Sequence, residues 1–553
     1  MADSFALQSS LEQQAQEHLM QNRQFVYIAD SNSSSYNQSL LFDCAGLSNS
    51  GKYLDCGQSF ITIPLVLTMT ATTGNLKNVS GENAFACSLK NGYSNLIHSM
   101  NIQCTNNSVV STMSYSNLPI NFTTLTSMST DDEQNLGDSI GFRKDDVLSQ
   151  TYKSGSSTQG LGECNNQIAP SVFNPSSGFG LSGTTQNKGR LARMLNTSYD
   201  PVITGESLQS VSSSGKNFAQ RDTLGVLGKT VNHFITANVP LSVLSDFFKK
   251  FPLCKGMYLQ ITLNLNVGCT TQITIDNGIY TAVSTSSQNN AVPYMISPCG
   301  VGSGLDITGT TPATGIELSI AIARNSINKS GITYTHPSLT SCRFYACMFD
   351  LSPSSEQAYL SKTGGSKRIV YTDFQTYQTL AIPAGGNFSQ ILTNGLARGR
   401  RVVGFPQISS TANYAGVGST ISTMASPFSS SPCTTAKNPI TNYNILLSGS
   451  NLYQQNYNYS WEQFQQELRK TNSINGGSSI GLSSGIISQN DFENGYRFLV
   501  SDISRSASEA TDNVSKSIQV IGTNSGDKAI DIYWCIFYER EIEVDLATGS
   551  LIM

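Results

Sequence analysis

Cys342-Arg343-Phe344-Tyr345-Ala346-Cys347-Met348-Phe349 and Ile532-Tyr533-Trp534-Cys535-Ile536-Phe537-Tyr538 read alike: both are aromatic and small apolar runs with almost no polar alternation. Successive side chains of a strand point to opposite faces, so a run that is apolar throughout is buried on both faces and lies in the middle of a packed sheet. Each run closes a longer pattern. Phe25-Val26-Tyr27-Ile28-Ala29-Asp30 opens the first and Ile369-Val370-Tyr371-Thr372-Asp373 opens the second. Within the first lie the period-two series Ile61, Ile63, Leu65, Leu67, Met69 and Ile316, Leu318, Ile320, Ile322, each directed to one face of a strand. The repeated opening and closing strands predict two β domains, residues 25–355 and 356–553, that divide between Pro353 and Ser366. Ahead of them, Leu7, Leu11, Ala15 and Leu19 recur at every fourth position over residues 4–22, and residues 1–24 read as a helical arm.

Tracts rich in Ser, Gly, Asn and Thr at 150–189, 281–314 and 406–438 read as large surface loops, too polar for a core. Short strands with long connections predict an all-β chain of two domains, jelly rolls or another β-sandwich, with short inserted helices and long loops. One helix is expected from Pro240 to Phe251, with Leu241, Leu244 and Phe248 at helical spacing. A second starts at Ser460, with Gln463 three residues on and Trp461, Phe464 and Leu468 along one stripe. With Trp534 of the closing strand, these apolar residues are expected to be core, the helices plugging the loop ends of the sandwiches.

Of 553 residues 13% are charged, against roughly 25% in ordinary soluble domains. The balance of 33 Lys and Arg against 37 Asp and Glu leaves a net charge of -4, which disfavours strong sequence-independent binding to nucleic acid or anionic membrane. Met1-Ala2-Asp3-Ser4-Phe5 is no secretory leader, and Phe60 to Met69 is too short to span a bilayer, so a soluble chain without a transmembrane segment is expected. The twelve cysteines include no Cys-x-x-Cys pair, and Cys347 and Cys535 sit inside the apolar runs, where a reduced thiol serves as a small hydrophobe.

Motifs that carry chemistry fail on their context. Gly178-Phe179-Gly180-Leu181-Ser182-Gly183 follows no strand, and Gly225 to Thr230 lacks the first glycine of a phosphate loop. Gly477 to Gly485 twice matches a nucleophile elbow, but no histidine follows His336. His18, His98, His233 and His336 form no metal pair, and Asp131-Asp132-Glu133 with Asp138 reads as a solvated acidic loop without calcium spacing. Arg398, Arg400 and Arg401 form the densest basic cluster. They are candidates for phosphate contact, outweighed by ion pairs between subunits or a hydrated strand end. No catalytic, cofactor or metal residue is assigned, and the low charge suits a building block whose surface is buried in subunit contacts.

The chain resembles the double jelly-roll major capsid proteins of Polinton-like viruses and virophages. The residues that carry the resemblance are Leu89-Lys90-Asn91-Gly92-Tyr93-Ser94-Asn95-Leu96-Ile97-His98, Pro240-Leu241-Ser242-Val243-Leu244 with Phe247-Phe248, and Lys255-Gly256 before the strand Leu259 to Leu265. Asn387-Phe388, Gly395-Leu396-Ala397-Arg398, Asn451-Leu452-Tyr453, Tyr459-Ser460-Trp461 and Asn494-Gly495-Tyr496-Arg497-Phe498 follow in order. The resemblance implies two eight-stranded rolls side by side, homotrimers that tile an icosahedral shell, and no enzymatic activity. The implied partners are other copies of the chain, penton and minor or cement capsid proteins, and the implied location is the virion. The alternatives are a penton or minor capsid protein, and a β-sandwich that binds or hydrolyses glycans through loop carboxylates.

Overall fold

The computed structural model describes residues 20–144 and 218–552 apart from short internal stretches, the longest being 299–314 and 410–423. The first half contributes eight strands to two facing sheets: β1 (Met20–Ala29), β2 (Ser39–Asp43), β3 (Tyr53–Ala71), β4 (Ile97–Cys104), β5 (Asn107–Val110), β6 (Thr230–Pro240), β7 (Leu259–Leu265) and β8 (Arg343–Leu351). One sheet runs β1-β8-β3-β6 and the other β2-β7-β4-β5. The second half contributes β9 (Ser366–Ile382), β10 (Asn387–Leu396), β11 (Gly399–Ile408), β12 (Ile440–Leu447), β13 (Ser450–Asn451), β14 (Leu499–Asp502), β15 (Lys516–Asn524) and β16 (Ile530–Asp545). Its sheets run β9-β16-β11-β14 and β10-β15-β12-β13. The two orders are the same eight-strand plan drawn twice, a double jelly roll, with every pairing antiparallel.

The runs that opened the sequence reading are β8, between β1 and β3, and the first half of β16, between β9 and β11. Four further strands enlarge the first roll, of which Phe218–Arg221 pairs with β6. Gly315–Ile322 pairs with the far half of β3, Thr270–Asp276 with Gly315–Ile322, and Ile279–Thr285 with Thr270–Asp276. That places strands at 279–285 and Tyr294–Pro298 inside a tract expected to be loop. The tract 406–438 also differs from expectation, because Met424, Thr434, Thr435 and Asn438 are buried. Their polar groups are satisfied: Gln407 donates to the Thr434 carbonyl at 3.0 Å, the Thr435 N–H to Gly495, and Asn438 to Asn524 and the Lys528 carbonyl. A paired polar group carries little of the penalty that keeps an unpaired one out of a core.

Helices occupy matching connections. Between β5 and β6 lie α1 (Asn117–Ser127) and α2 (Thr130–Leu136); α3 (Leu241–Leu244) and α4 (Asp246–Lys250) follow β6. Helix α5 (Pro353–Thr363) links the halves, and α6 (Trp461–Ile474) and α7 (Gln489–Asn494) lie between β13 and β14. The helix in the place of α6 is therefore α1. The segment after Pro240 is two short helices rather than one, because Ser245 is extended (φ -150°, ψ 142°) and its hydroxyl accepts the Phe247 N–H to start α4. The expected acidic loop is the first turn of α2, capped by Ser129 and Asp132 in reciprocal hydrogen bonds, where carboxylates favour the helix dipole. The arm expected to be helical over residues 1–24 is corrected at its end. Residues 20–24 belong to β1, whose Met20 pairs with Leu351, and the rest of the arm lies outside the described residues. The tract 150–189 lies outside them as well.

Candidate functional site

Strand β16 explains why its sequence is apolar on both faces. Trp534 points into the second roll, fully buried between Phe388 and Tyr443, with its indole N–H donating to the Thr379 hydroxyl at 3.0 Å. Its neighbours Tyr533 and Phe537 point the other way and meet the first roll. The Tyr533 ring lies 4.8 Å from Tyr115, and Phe537 lies 6.5 Å from Phe122 of α1. One face of β16 thus builds the second roll and the other joins the two rolls.

Phe122 is the centre of that junction. It is fully buried and its ring meets Phe498 at 5.2 Å and Phe405 at 6.0 Å, both edge-on, the arrangement aromatic quadrupoles favour. Around it the rolls exchange hydrogen bonds. The Tyr371 hydroxyl and the Arg540 guanidinium both donate to the Val109 carbonyl, at 2.7 and 3.1 Å, and the ammonium of buried Lys90 donates to the Met424 carbonyl at 2.9 Å. Lys144 pairs with Asp491 and also donates to the Ile486 carbonyl. The Ile486 N–H returns a bond to the Leu125 carbonyl at 3.1 Å, and the preceding Gly485 (φ +65°) lies where a Cβ would fall 2.1 Å from that same oxygen. Asp373, buried in this network, accepts from Tyr538 and Arg540, and burial pushes its carboxyl above the ordinary value.

The residues expected to be core fall as follows. Leu241, Leu244 and Phe248 are buried on α3 and α4, which pack on β3; α4 also packs on β9 of the second roll. Phe464 and Leu468 are buried on α6, while Trp461 is only half-buried, stacked 5.5 Å from Phe464 and 5.6 Å from Phe492. The basic cluster divides. Arg398, in a left-handed turn (φ 53°), pairs with Glu541 at 2.7 Å, and Arg400 pairs with Glu539 at 2.6 Å. These partners belong to the same chain. Arg401 points into the junction, its guanidinium 4.1 Å from the Phe537 ring and 5.7 Å from Phe122.

His98 is a strand residue of β4 whose ring meets Tyr115 edge-on at 4.8 Å, and burial lowers its pKa to about 4. Cys44, Cys56, Cys104, Cys254, Cys269, Cys342, Cys347 and Cys535 are free and buried. Among the described residues no cluster of three or more His, Cys, Asp or Glu is placed to hold a metal ion, and no helix is long and apolar enough to cross a membrane.

Among the described residues, nothing covers the part of the first roll's sheet that corresponds to the junction face of the second. On β1, Phe25 and Tyr27 are 48% and 58% exposed. They lie over Phe60 and Tyr345, whose rings stack at 4.9 Å, and Arg343 sits 4.8 Å from the Tyr27 ring. A contiguous exposed aromatic patch of this kind is the ordinary mark of an interaction surface.

Two sheets in the order 1-8-3-6 and 2-7-4-5, drawn twice in one chain, define a double jelly-roll fold. Among solved structures, a chain of the Sputnik virophage, determined by cryo-EM, is similar at 11% identity with a TM-score of 0.52, over 97% of this chain and 88% of that one. The mavirus major capsid protein is similar at 11% identity (TM-score 0.45, 96% and 89% covered), and the Faustovirus major capsid protein at 9% (TM-score 0.42, 96% and 91% covered). No protein-family profile matches the chain, and no curated protein matches its sequence.

Proposed function

We propose that this chain is the major capsid protein of an icosahedral DNA virus, working as a homotrimeric capsomer of the virion shell. The observation that carries the reading is the contact between the rolls, made once within the chain and available a second time. The second roll lays the face with Phe405, Tyr533 and Phe537 on the flank of the first that bears β5 and α1. The first roll has the corresponding face open at Phe25, Tyr27, Phe60 and Tyr345, and the second has the corresponding flank in β13 and α6. If each open face takes the flank of the next chain, three chains close a ring of six rolls by a heterologous contact. Such a tile has near-sixfold shape from one gene product, and contacts between tiles, and with penton and minor capsid proteins, then build the shell. On this reading the first roll begins with β1 at Met20 and the second with β9 at Ser366, and α5 is the link. The role on this reading is structural, not catalytic, and the similarity to a chain of the Sputnik particle supports it through the fold.

The test is a charge placed on the open face. Tyr27→Lys with Phe25→Lys alters two exposed residues, so each chain should keep its fold while six-lobed particles in negative-stain images give way to single chains. Five-lobed particles from the unmodified protein would instead make it a penton protein.

A further inference from the structure

Between the two rolls lies a crevice of about 510 Å³, within the size range of small-molecule sites. Its floor is Phe374, Arg401 and Phe537 of the second roll, and its walls come from α1, α3 and α4 of the first. Arg401 is 8% exposed, and its Nε has no hydrogen-bond partner. Among the described residues no carboxylate lies within ion-pair distance of its guanidinium, in contrast to Arg398 and Arg400 nearby. Its neighbours are ring faces, and burial lowers its pKa to about 10, so it remains a cation at neutral pH. A buried charge without a counter-charge is strongly disfavoured, and each one in a native structure calls for a partner.

The acids of the crevice are already engaged. Asp132 accepts the Ser129 N–H and hydroxyl at 3.0 and 2.8 Å. Asp246 accepts the Thr372 N–H at 3.0 Å and pairs with Lys250 at 2.9 Å. Lys249, the remaining charged group of the lining, is exposed. With Asp246 offset by Lys250, the lining sets two cations, Arg401 at the floor and Lys249, against the single carboxylate of Asp132, so it carries one positive charge beyond what its carboxylates balance.

We propose that the crevice is a binding site for a small organic oxyanion, its carboxylate or phosphate group held against Arg401 and its apolar body lying on Val243, Leu244 and Phe374. The planar guanidinium fork is suited to either group. The site would make an anion part of the joint between the rolls, and the inference is independent of the capsid role.

Calorimetric titration of the full chain with phenyl phosphate, benzoate and inorganic phosphate tests this, alongside thermal unfolding in each. Saturable millimolar or tighter binding is expected for at least one organic anion, more tightly than for inorganic phosphate, with a raised unfolding temperature. Preference between phenyl phosphate and benzoate then assigns the head group. Arg401→Met should weaken binding by about tenfold or more, and Lys249→Ala severalfold. Lys249 is exposed, so its variant keeps the test open if Arg401→Met does not fold. The proposal is overturned if none of the three anions binds saturably, or if binding is equally strong in whichever of the two variants fold.

Discussion

Phe122→Ala probes whether the two rolls behave as one body. The ring belongs to the first half of the chain, yet the rings of Phe405, Phe498 and Phe537 that it meets belong to the second. Truncating a fully buried Phe costs about 3–5 kcal/mol, including the cavity left behind, and Arg401 loses one of its two ring contacts as well. If the whole chain unfolds as a unit, with an unfolding entropy of about 2 cal/mol/K per residue, that cost lowers the midpoint by about 3–4 °C. The assay uses the distribution of tryptophan: Trp461 and Trp534 are the two in the chain, and both lie in the second roll. Tryptophan fluorescence therefore follows the second roll alone, whereas far-ultraviolet circular dichroism follows both. In the unmodified protein the two signals should share one transition, and in Phe122→Ala both should move down together. A fluorescence midpoint that stays in place while the dichroism shifts would refute the reasoning, since it would mean that the second roll owes nothing to the junction.

Three further predictions test particular sites. With its pKa lowered to about 4 in the fold, His98 stays neutral while the unfolded chain takes up a proton below about pH 6.5. Its contribution to stability is therefore complete above that pH and falls away as the pH drops toward 4, by at most about 3 kcal/mol. Denaturant titrations of His98→Leu should show a correspondingly flatter profile over that window. A Cβ on Gly404 would fall 2.6 Å from the Trp534 ring, so Gly404→Val should destabilise the second roll by about 1–3 kcal/mol and perturb the tryptophan emission. Trp534→Ala should cost about 3–5 kcal/mol, and half-buried Trp461→Ala clearly less, when both are compared by urea unfolding.

Much of this architecture is legible in the residues themselves. The apolar runs at β8 and β16 demanded two covered faces, and the matched openings at Val26-Tyr27 and Val370-Tyr371 pointed to a duplication. What covers the second face of β16 was not legible, because the cover is a helix from the other half of the chain. Leu118, Phe122 and Leu125 recur at helical spacing in α1, with Pro119 in its first turn, but they sit among Asn and Thr that weaken the pattern. The same tolerance for satisfied polar groups hid the buried Thr434, Thr435 and Asn438. Ser245 reads as one more residue of a helix until its hydroxyl is seen to cap the next one. The basic cluster was visible as a cluster only. A register irregularity of β11 between Gly399 and Arg401 sets the paired cation Arg400 next to the buried Arg401, and residue spacing alone does not show it.

The central claim is that the open aromatic face of one chain meets the flank of another until three chains close. Light scattering on the purified chain after size exclusion measures this directly. The account predicts a particle of about 179 kDa, three times the 59.5 kDa chain, at concentrations where Tyr27→Lys with Phe25→Lys elutes near 59.5 kDa. A homogeneous 59.5 kDa species from the unmodified protein would contradict it.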